Sequence, residues 1–335
     1  GEYIDLRVLA LLFCLMAVVA GFRSCGLFLV LAQKLLEGRK NMKLIALALI
    51  LLPFFCSMLI TNDVALITFV PFTVLVLSLL GRPNRLTGIV VLQTVAANLG
   101  SMATPVGNPQ NLFLYARFQI TPGAFFAVTG PLTLLSLILL AIAALRVPGE
   151  TMEVRFTAPA VIQGPKLLAG FTVLFALCLL SVFRVLHYGI LLVIVAVFLL
   201  IFRRDLLKQV DYSLLATFVC FFIFAGNLGS IGPVREALET LMAAHPLLAS
   251  AAASQVISNV PAAVLLSGFT DNWAALLAGT NVGGLGTPIA SLASLISLRL
   301  YLRTEGAKPL HYLAVFSAVN FSGLALLLWL AGLWV

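Results

Sequence analysis

Eight apolar stretches (8–22, 44–60, 64–80, 123–145, 167–183, 187–202, 213–228 and 312–335) recur along the 335 residues. Each approaches or exceeds the roughly 17 residues that a helix needs to cross a bilayer. One soluble core cannot bury that many long apolar faces, and one signal peptide or anchor cannot account for them. The composition agrees: 62% of residues are hydrophobic, 10% are charged, and the mean hydropathy is +1.13. An ordinary soluble domain carries about a quarter charged residues. In lipid every backbone polar group must be satisfied within the chain, so this pattern predicts an all-α polytopic membrane protein.

The net charge of +8 does not read as a nucleic-acid footprint. The basic residues sit in short loops between apolar segments and form no patch interleaved with aromatics. Cys14, Cys25, Cys56, Cys178 and Cys220 are scattered through apolar segments without metal or disulfide spacing, which fits small packing residues. No Walker, dinucleotide, zincin or nucleophile-elbow motif occurs, so neither an ATP-driven pump nor a common hydrolase is indicated and no organic cofactor is expected. His187, His245 and His311 fall near predicted helix ends.

The polar landmarks repeat. Asp5 to Gly26 parallels Asp211 to Gly232 at an offset of 206, TNDVA at 61–65 parallels SNVPA at 258–262 at 197, and NLGSMATPVGNPQN at 98–111 parallels NVGGLGTPIASLAS at 281–294 at 183. Three landmarks in one order predict a duplication. The second copy is preceded by two apolar helices that the first lacks, which predicts counterparts upstream of Gly1.

Around Ser258 and Asn259 the apolar arms run only 247–257 and 260–269. At the helical rise each spans roughly 16 Å, against about 30 Å of hydrocarbon, so they read as a re-entrant hairpin. The first copy's arms could individually cross, and its hairpin (about 44–80) is assigned by the repeat. Segments 86–118 and 272–302 each carry a Gly-rich, Asn-containing interruption and read as discontinuous helices. Irregular backbone at membrane depth survives only where it is buried in protein or lines a cavity, and matched interruptions in two halves point to a transporter's binding site. The expected organisation is repeat one at 1–146, a cytoplasmic linker at 147–165 and repeat two at 166–335. Five crossings separate the two starts, which inverts the second copy. Basic residues sort accordingly: Arg7, Arg117, Arg184 and Arg235 fall outside and the other 16 of 20 inside. That places loops 34–43, 82–85, 146–166, 203–208 and 303–308 in the cytoplasm.

Each interruption holds a Thr-Pro pair, Thr104-Pro105 and Thr287-Pro288, which reads as a helix N-cap followed by a first helical residue. With the hairpin arms starting at Asn62 and Asn259, four helix N-termini would meet near the midplane. Their free N–H groups and partial positive charge make an anion site without a buried Arg or Lys. Asn98, Asn108, Gln110, Asn111, Asn281, Ser291 and Ser294 add neutral donors and acceptors. Glycines at 100, 107, 283, 284 and 286 would expose carbonyls to a cation. Asp63 is the one carboxylate expected deep in the membrane, with Val260 at the matching place. It is read as a protonatable group or cation ligand, against the alternative of a first-turn carboxylate that stabilises its arm.

TNDVALITFVPF, NLGSMATPVGNPQN, SNVPA and NVGGLGTPIASLAS resemble the ion transporter superfamily, which includes divalent-anion/sodium symporters, citrate transporters and arsenite permeases, over nearly the whole chain. The NPQN run is similar to that of bacterial anion permeases. The resemblance implies elevator-like transport and a homodimer in a bacterial inner membrane. It also implies substrate and ion binding at Asn62, Asp63, Asn98, Thr104, Asn108, Asn111, Ser258, Asn259, Asn281, Thr287, Ser291 and Ser294, with Na+ near Asp63, Gly100 or Gly283. The expected function is secondary transport of a small carboxylate or inorganic oxyanion coupled to H+ or Na+. Cation/proton antiport and metalloid efflux are alternatives. An intramembrane enzyme lacks a nucleophile-base pair or metal cluster.

Overall fold

The computed structural model describes residues 4–335; residues 1–3 of the first repeat lie outside the described residues. The chain opens with α1 (Leu6–Ser24), a short α2 (Leu27–Leu36) and a strand β1 (Gly38–Asn41). The helical pair α3 (Met42–Ile60) and α4 (Asn62–Leu79) follows. Helix α5 (Leu86–Ser101) then stops, and α6 (Pro109–Arg117) resumes after a non-helical segment. Next come α7 (Pro122–Leu145), β2 (Thr151–Val154), α8 (Pro165–Val182) and α9 (Tyr188–Phe202). The second half holds α10 (Tyr212–Gly229), α11 (Gly232–Ala244) and the pair α12 (Pro246–Ile257) and α13 (Asn259–Leu266). It ends with α14 (Trp273–Val282), a break containing a 3-10 turn at Pro288–Ala290, α15 (Leu292–Leu302) and α16 (Pro309–Ala331).

This is an all-α polytopic membrane protein. Helices α1, α3, α4, α7, α8, α10 and α16 are each long and apolar enough to cross a bilayer. Their burial separates interior from periphery: 67% of the apolar window of α1 is buried, against 11% in α10 and 17% in α16. The last two therefore leave most of their side chains uncovered by the rest of the described chain. Helices α12 and α13, at 12 and 8 residues, reach only about 18 and 12 Å. Neither crosses, and the chain reverses between them at Ser258. Helices α3 and α4, at 19 and 18 residues, are long enough to cross singly. Helix α11 meets α12 at a 120° bend. Its Val234, Leu238 and Met242 recur at four-residue spacing beside Arg235, Glu236 and Glu239, an amphipathic pattern.

Three elements lie outside the sequence-derived plan: α2, α11 and a two-stranded ribbon. Strands β1 and β2 pair antiparallel, Gly38 opposite Val154 and Asn41 opposite Thr151. Arg82 forms an ion pair with Glu150. The Gln33 carboxamide donates to the Ala158 carbonyl and accepts from the Ala160 N–H. Arg203 donates to the Ser24 hydroxyl. The Lys308 N–H donates to the Tyr301 hydroxyl, which also meets Thr87 beside loop 82–85. Loops 34–43, 82–85, 146–166, 203–208 and 303–308 thus gather on one face. The four arginines expected on the other side, Arg7, Arg117, Arg184 and Arg235, share a different neighbourhood. Arg7 donates to the Ser181 carbonyl, Arg184 donates to those of Tyr115 and Gln119, and Arg117 and Arg235 line one cavity.

Candidate functional site

The two hairpin tips have the same backbone. Thr61 (φ 69°, ψ 151°) and Ser258 (φ 74°, ψ 154°) both adopt a left-handed conformation that is strained for a residue with a Cβ, and they stand 197 residues apart, the offset of the sequence repeat. Each is followed by a buried asparagine that starts the next helix. The Asn62 side-chain carbonyl accepts from the Asp63 N–H at 3.1 Å, and that of Asn259 accepts from the Val260 N–H at 2.9 Å. These bonds satisfy helix N–H groups that have no intrahelical partner.

Asn98 and Asn281, related by the offset of 183, each reach the far half of the other copy's broken helix. The Asn98 Oδ1 accepts from Asn62 Nδ2 at 2.9 Å and from the Ser291 hydroxyl at 3.0 Å, while its Nδ2 donates to the Ser294 hydroxyl at 3.3 Å. Conversely, the Asn281 Oδ1 accepts from Asn108 Nδ2 at 2.9 Å and its Nδ2 donates to Asn111 Oδ1 at 2.6 Å. Offset by 183, Asn108 and Asn111 correspond to Ser291 and Ser294. Each break therefore holds the other, and Asn62, Asn98, Asn108, Asn111, Asn259, Asn281, Ser291 and Ser294 are all buried.

Both Thr-Pro pairs behave differently from the sequence expectation. The first broken helix resumes at Asn108-Pro109, where Asn108 is extended and its side chain accepts from the Asn111 N–H. Thr104-Pro105 cannot start it because the chain folds back there, so tightly that a Cβ on Gly107 would overlap the Ser101 carbonyl. Thr287-Pro288 begins only a 3-10 turn, and α15 starts after Ser291 with no side-chain cap. The threonine hydroxyls instead tie the breaks to the hairpins. Thr104 donates to the Met58 carbonyl and Thr287 to the Gln255 carbonyl, at 2.5 and 3.0 Å. Met58 and Gln255 are again 197 apart. Glycines permit this proximity: a Cβ on Gly100 would overlap the Phe54 carbonyl, and one on Gly283 would sit 2.8 Å from the Ala251 Cα. The Gly100 carbonyl accepts from the Ala103 N–H, and that of Gly283 accepts from the Gln255 amide.

The first residues of α4, α13, α6 and α15 line one cavity of about 200 Å³, through Asn62, Asn259, Pro109, Gln110 and Leu292, with Ser258 and Ser291 beside them. No lysine or arginine lines it. Half-buried Asp63 does, as does Asp211 at the start of α10, and both also border an adjoining cavity of about 360 Å³ that reaches Arg23 and Gln209. Thr104, Thr287, Asn98, Asn281, Asn111 and Ser294 stand behind the lining and brace it. Sequence reasoning missed Asp211, whose side chain caps α10 by accepting from the Leu214 N–H. It also missed Ser101, which accepts from Asn108, and Gln255, which braces the second break. The offset of 197 that maps Met58 onto Gln255 was the available signal for the last.

Comparison with known proteins places the chain among transporters. Residues 1–294 match the family model described as citrate transporter. An uncharacterized transporter of Methanocaldococcus jannaschii is 33% identical over 306 residues, covering 89% of this chain and 81% of the relative. The inner membrane protein YbiR of Escherichia coli is 32% identical over 305 residues, covering 89% and 80%. An uncharacterized transporter of Mycobacterium tuberculosis is 26% identical, covering 98% and 86%. With tips, breaks and relatives in accord, the chain belongs to the citrate transporter family and is a multi-pass membrane transporter, not an enzyme.

Proposed function

We propose that this protein is a secondary active carrier of a small anion, a carboxylate or an inorganic oxyanion, coupled to H+ or Na+. The observation that carries this reading is the cavity where four helix N-termini converge without a lysine or arginine. N–H groups and helix dipoles favour an anion there, and a cavity of about 200 Å³ suits a small ion. Citrate heads the list of candidate substrates because of the family description.

Coupling follows from the charges. Asp63 and Asp211 face the same cavity, and two carboxylates beside a bound anion repel it unless a proton or cation offsets them. The four-point meeting of tips and breaks supports two inverted repeats that carry the site between them, with elevator-like alternating access and a homodimer as in the resembling superfamily. Gathering of the basic loops on one face supports a cytoplasmic assignment for that face.

Purified protein in liposomes tests this. Labelled citrate, smaller carboxylates, phosphate and sulfate are offered under an imposed inward H+ or Na+ gradient. Accumulation of at least one anion that collapses when the gradient is dissipated is expected. Absence of gradient-driven uptake for the whole panel, with protein that is folded and correctly inserted, overturns the reading. Cation/proton exchange is the second reading, favoured by the Asp63–Asp211 pairing, and it predicts Na+ movement without any anion. Metalloid efflux through thiols is disfavoured because no cysteine lines either cavity.

A further inference from the structure

Gln255 holds the second break from across, out of the hairpin arm α12. Its Nε2 lies 3.2, 2.8 and 2.9 Å from the carbonyl oxygens of Ala251, Gly283 and Leu285, and its Oε1 accepts from the Thr287 N–H at 2.9 Å. An amide nitrogen carries two hydrogens, so three carbonyls converge on a centre that can donate to only two of them. Two of the three belong to the unwound backbone just past α14, where the partial negative charge of a helix C-terminus adds to that of the carbonyls. Oxygen atoms gathered round one point at a helix end are what a cation recognises in broken-helix transporters.

The first break differs at this position. Met58 takes the place of Gln255 and has no donor. The corresponding carbonyls are served from within: that of Gly100 by the Ala103 N–H, and that of Met102 by Asn111 Nδ2 at 3.3 Å, an amide nitrogen that also lies 3.4 and 3.1 Å from the Ser101 and Thr104 carbonyls. Asp63 stands at the first tip, and uncharged Val260 replaces it at the second.

We propose that the Gln255 carboxamide stands in permanently for a monovalent cation at the second break. Taken with the carrier reading, on which this consequence alone rests, the second break then takes no coupling cation of its own.

The test uses the full-length protein in detergent without substrate, so its failure is separable from failure of the transport reading. Thermal unfolding is followed at pH 8 in NaCl and in N-methyl-D-glucamine chloride at equal ionic strength. Gln255→Glu keeps the size and the acceptor for Thr287 but turns a second oxygen toward three carbonyls. It should unfold several degrees below wild type in N-methyl-D-glucamine and recover in Na+, with a Na+-dependent rise exceeding any shown by wild type. At pH 5, where the carboxyl protonates and donates, that excess should shrink. Gln255→Lys, which places a tethered ammonium at the centre, should gain no extra Na+ response. Gln255→Met copies the first repeat without adding charge and serves if the Glu variant does not fold; it too should acquire a Na+-dependent rise. Equal Na+ responses in wild type and in whichever of the Glu and Met variants folds would overturn the proposal, as would an extra Na+ response in the Lys variant.

Discussion

The two halves of this transporter reach one geometry from different materials. The first hairpin has arms of 19 and 18 residues, and the second has arms of 12 and 8. Yet both tips carry a hydroxyl residue in the same left-handed conformation, the same asparagine cap and the same threonine tie from the neighbouring break. What differs is charge and bracing: Asp63 against Val260, and Asn111 reaching back within its own break against Gln255 reaching across from a hairpin. The shared features lie where backbone is left without partners, and the differing ones in side-chain charge and reach. Geometry is thus repeated while the half-buried charge is placed on one side.

The largest expected effect comes from cutting the reciprocal link. Asn98→Ala leaves the Asn62 amide and the Ser291 hydroxyl without their acceptor in a buried site, at a cost of about 1–3 kcal/mol for each unsatisfied group. Misplacing both breaks should reduce uptake by roughly 100-fold, and Asn281→Ala should match it. The double variant in liposome uptake should be little worse than either single one, since the two asparagines share one hydrogen-bond network through Ser101 and Asn108. Additive losses, or a strong effect at only one of the two asparagines, would break the equivalence of the halves.

Asp63→Asn comes next and sharpens the difference between the halves. Asn keeps the shape of the side chain and leaves the Asn62 cap in place, so anion exchange should persist. If a proton is the coupling ion, acceleration by a pH gradient disappears. If Na+ is, the concentration needed for half-maximal uptake rises by at least about 10-fold. Wild-type rates together with wild-type pH and Na+ dependence would reduce Asp63 to a structural role.

Asp211 is exposed and shares the cavity with Asp63. Asp211→Asn should shift the same coupling parameter in the same assay by no more than about fivefold, the effect of roughly 1 kcal/mol across solvent-filled space. A larger shift than in Asp63→Asn would move the coupling carboxylate from the hairpin to α10.

Smallest are the two ties. Thr104→Val and Thr287→Val each remove one hydroxyl bond to a hairpin carbonyl and should each cost about 1 kcal/mol, read as similar small decreases in the unfolding midpoint. A strong inequality would mean that one hairpin depends on its tie and the other does not.

Much of this was legible in the sequence because lipid allows few solutions. Apolar runs had to become helices, and polar breaks such as NLGSMATPVGNPQN had to be buried against protein. The asparagines on either side of the breaks stood out because polar amides in apolar runs need partners. Less visible was anything defined by a distant partner. Gln255 reads as one polar residue in a short apolar arm until the carbonyls of Gly283 and Leu285 are placed beside it. Asp211 reads as an ordinary N-cap, which it also is. The Thr-Pro pairs misled because local capping propensity points to a helix start. Tertiary contact drew the hydroxyls to Met58 and Gln255 instead, and the restart moved to Asn108-Pro109. The ribbon of Gly38–Asn41 with Thr151–Val154 escaped because four-residue polar strands carry no periodic signal.

The bond between Asn98 and Ser291 joins residues 193 positions apart. At 5–20 residues per second of synthesis, its second half arrives roughly 10–40 seconds after its first. Throughout that interval a nascent first half holds a polar break with no reciprocal partner in an apolar environment. The duplicated halves are therefore not independent folding units. Ribosome-bound chains that end before Ser291 should stay protease-sensitive around 98–111, and protection there should appear only once the last broken helix has been made.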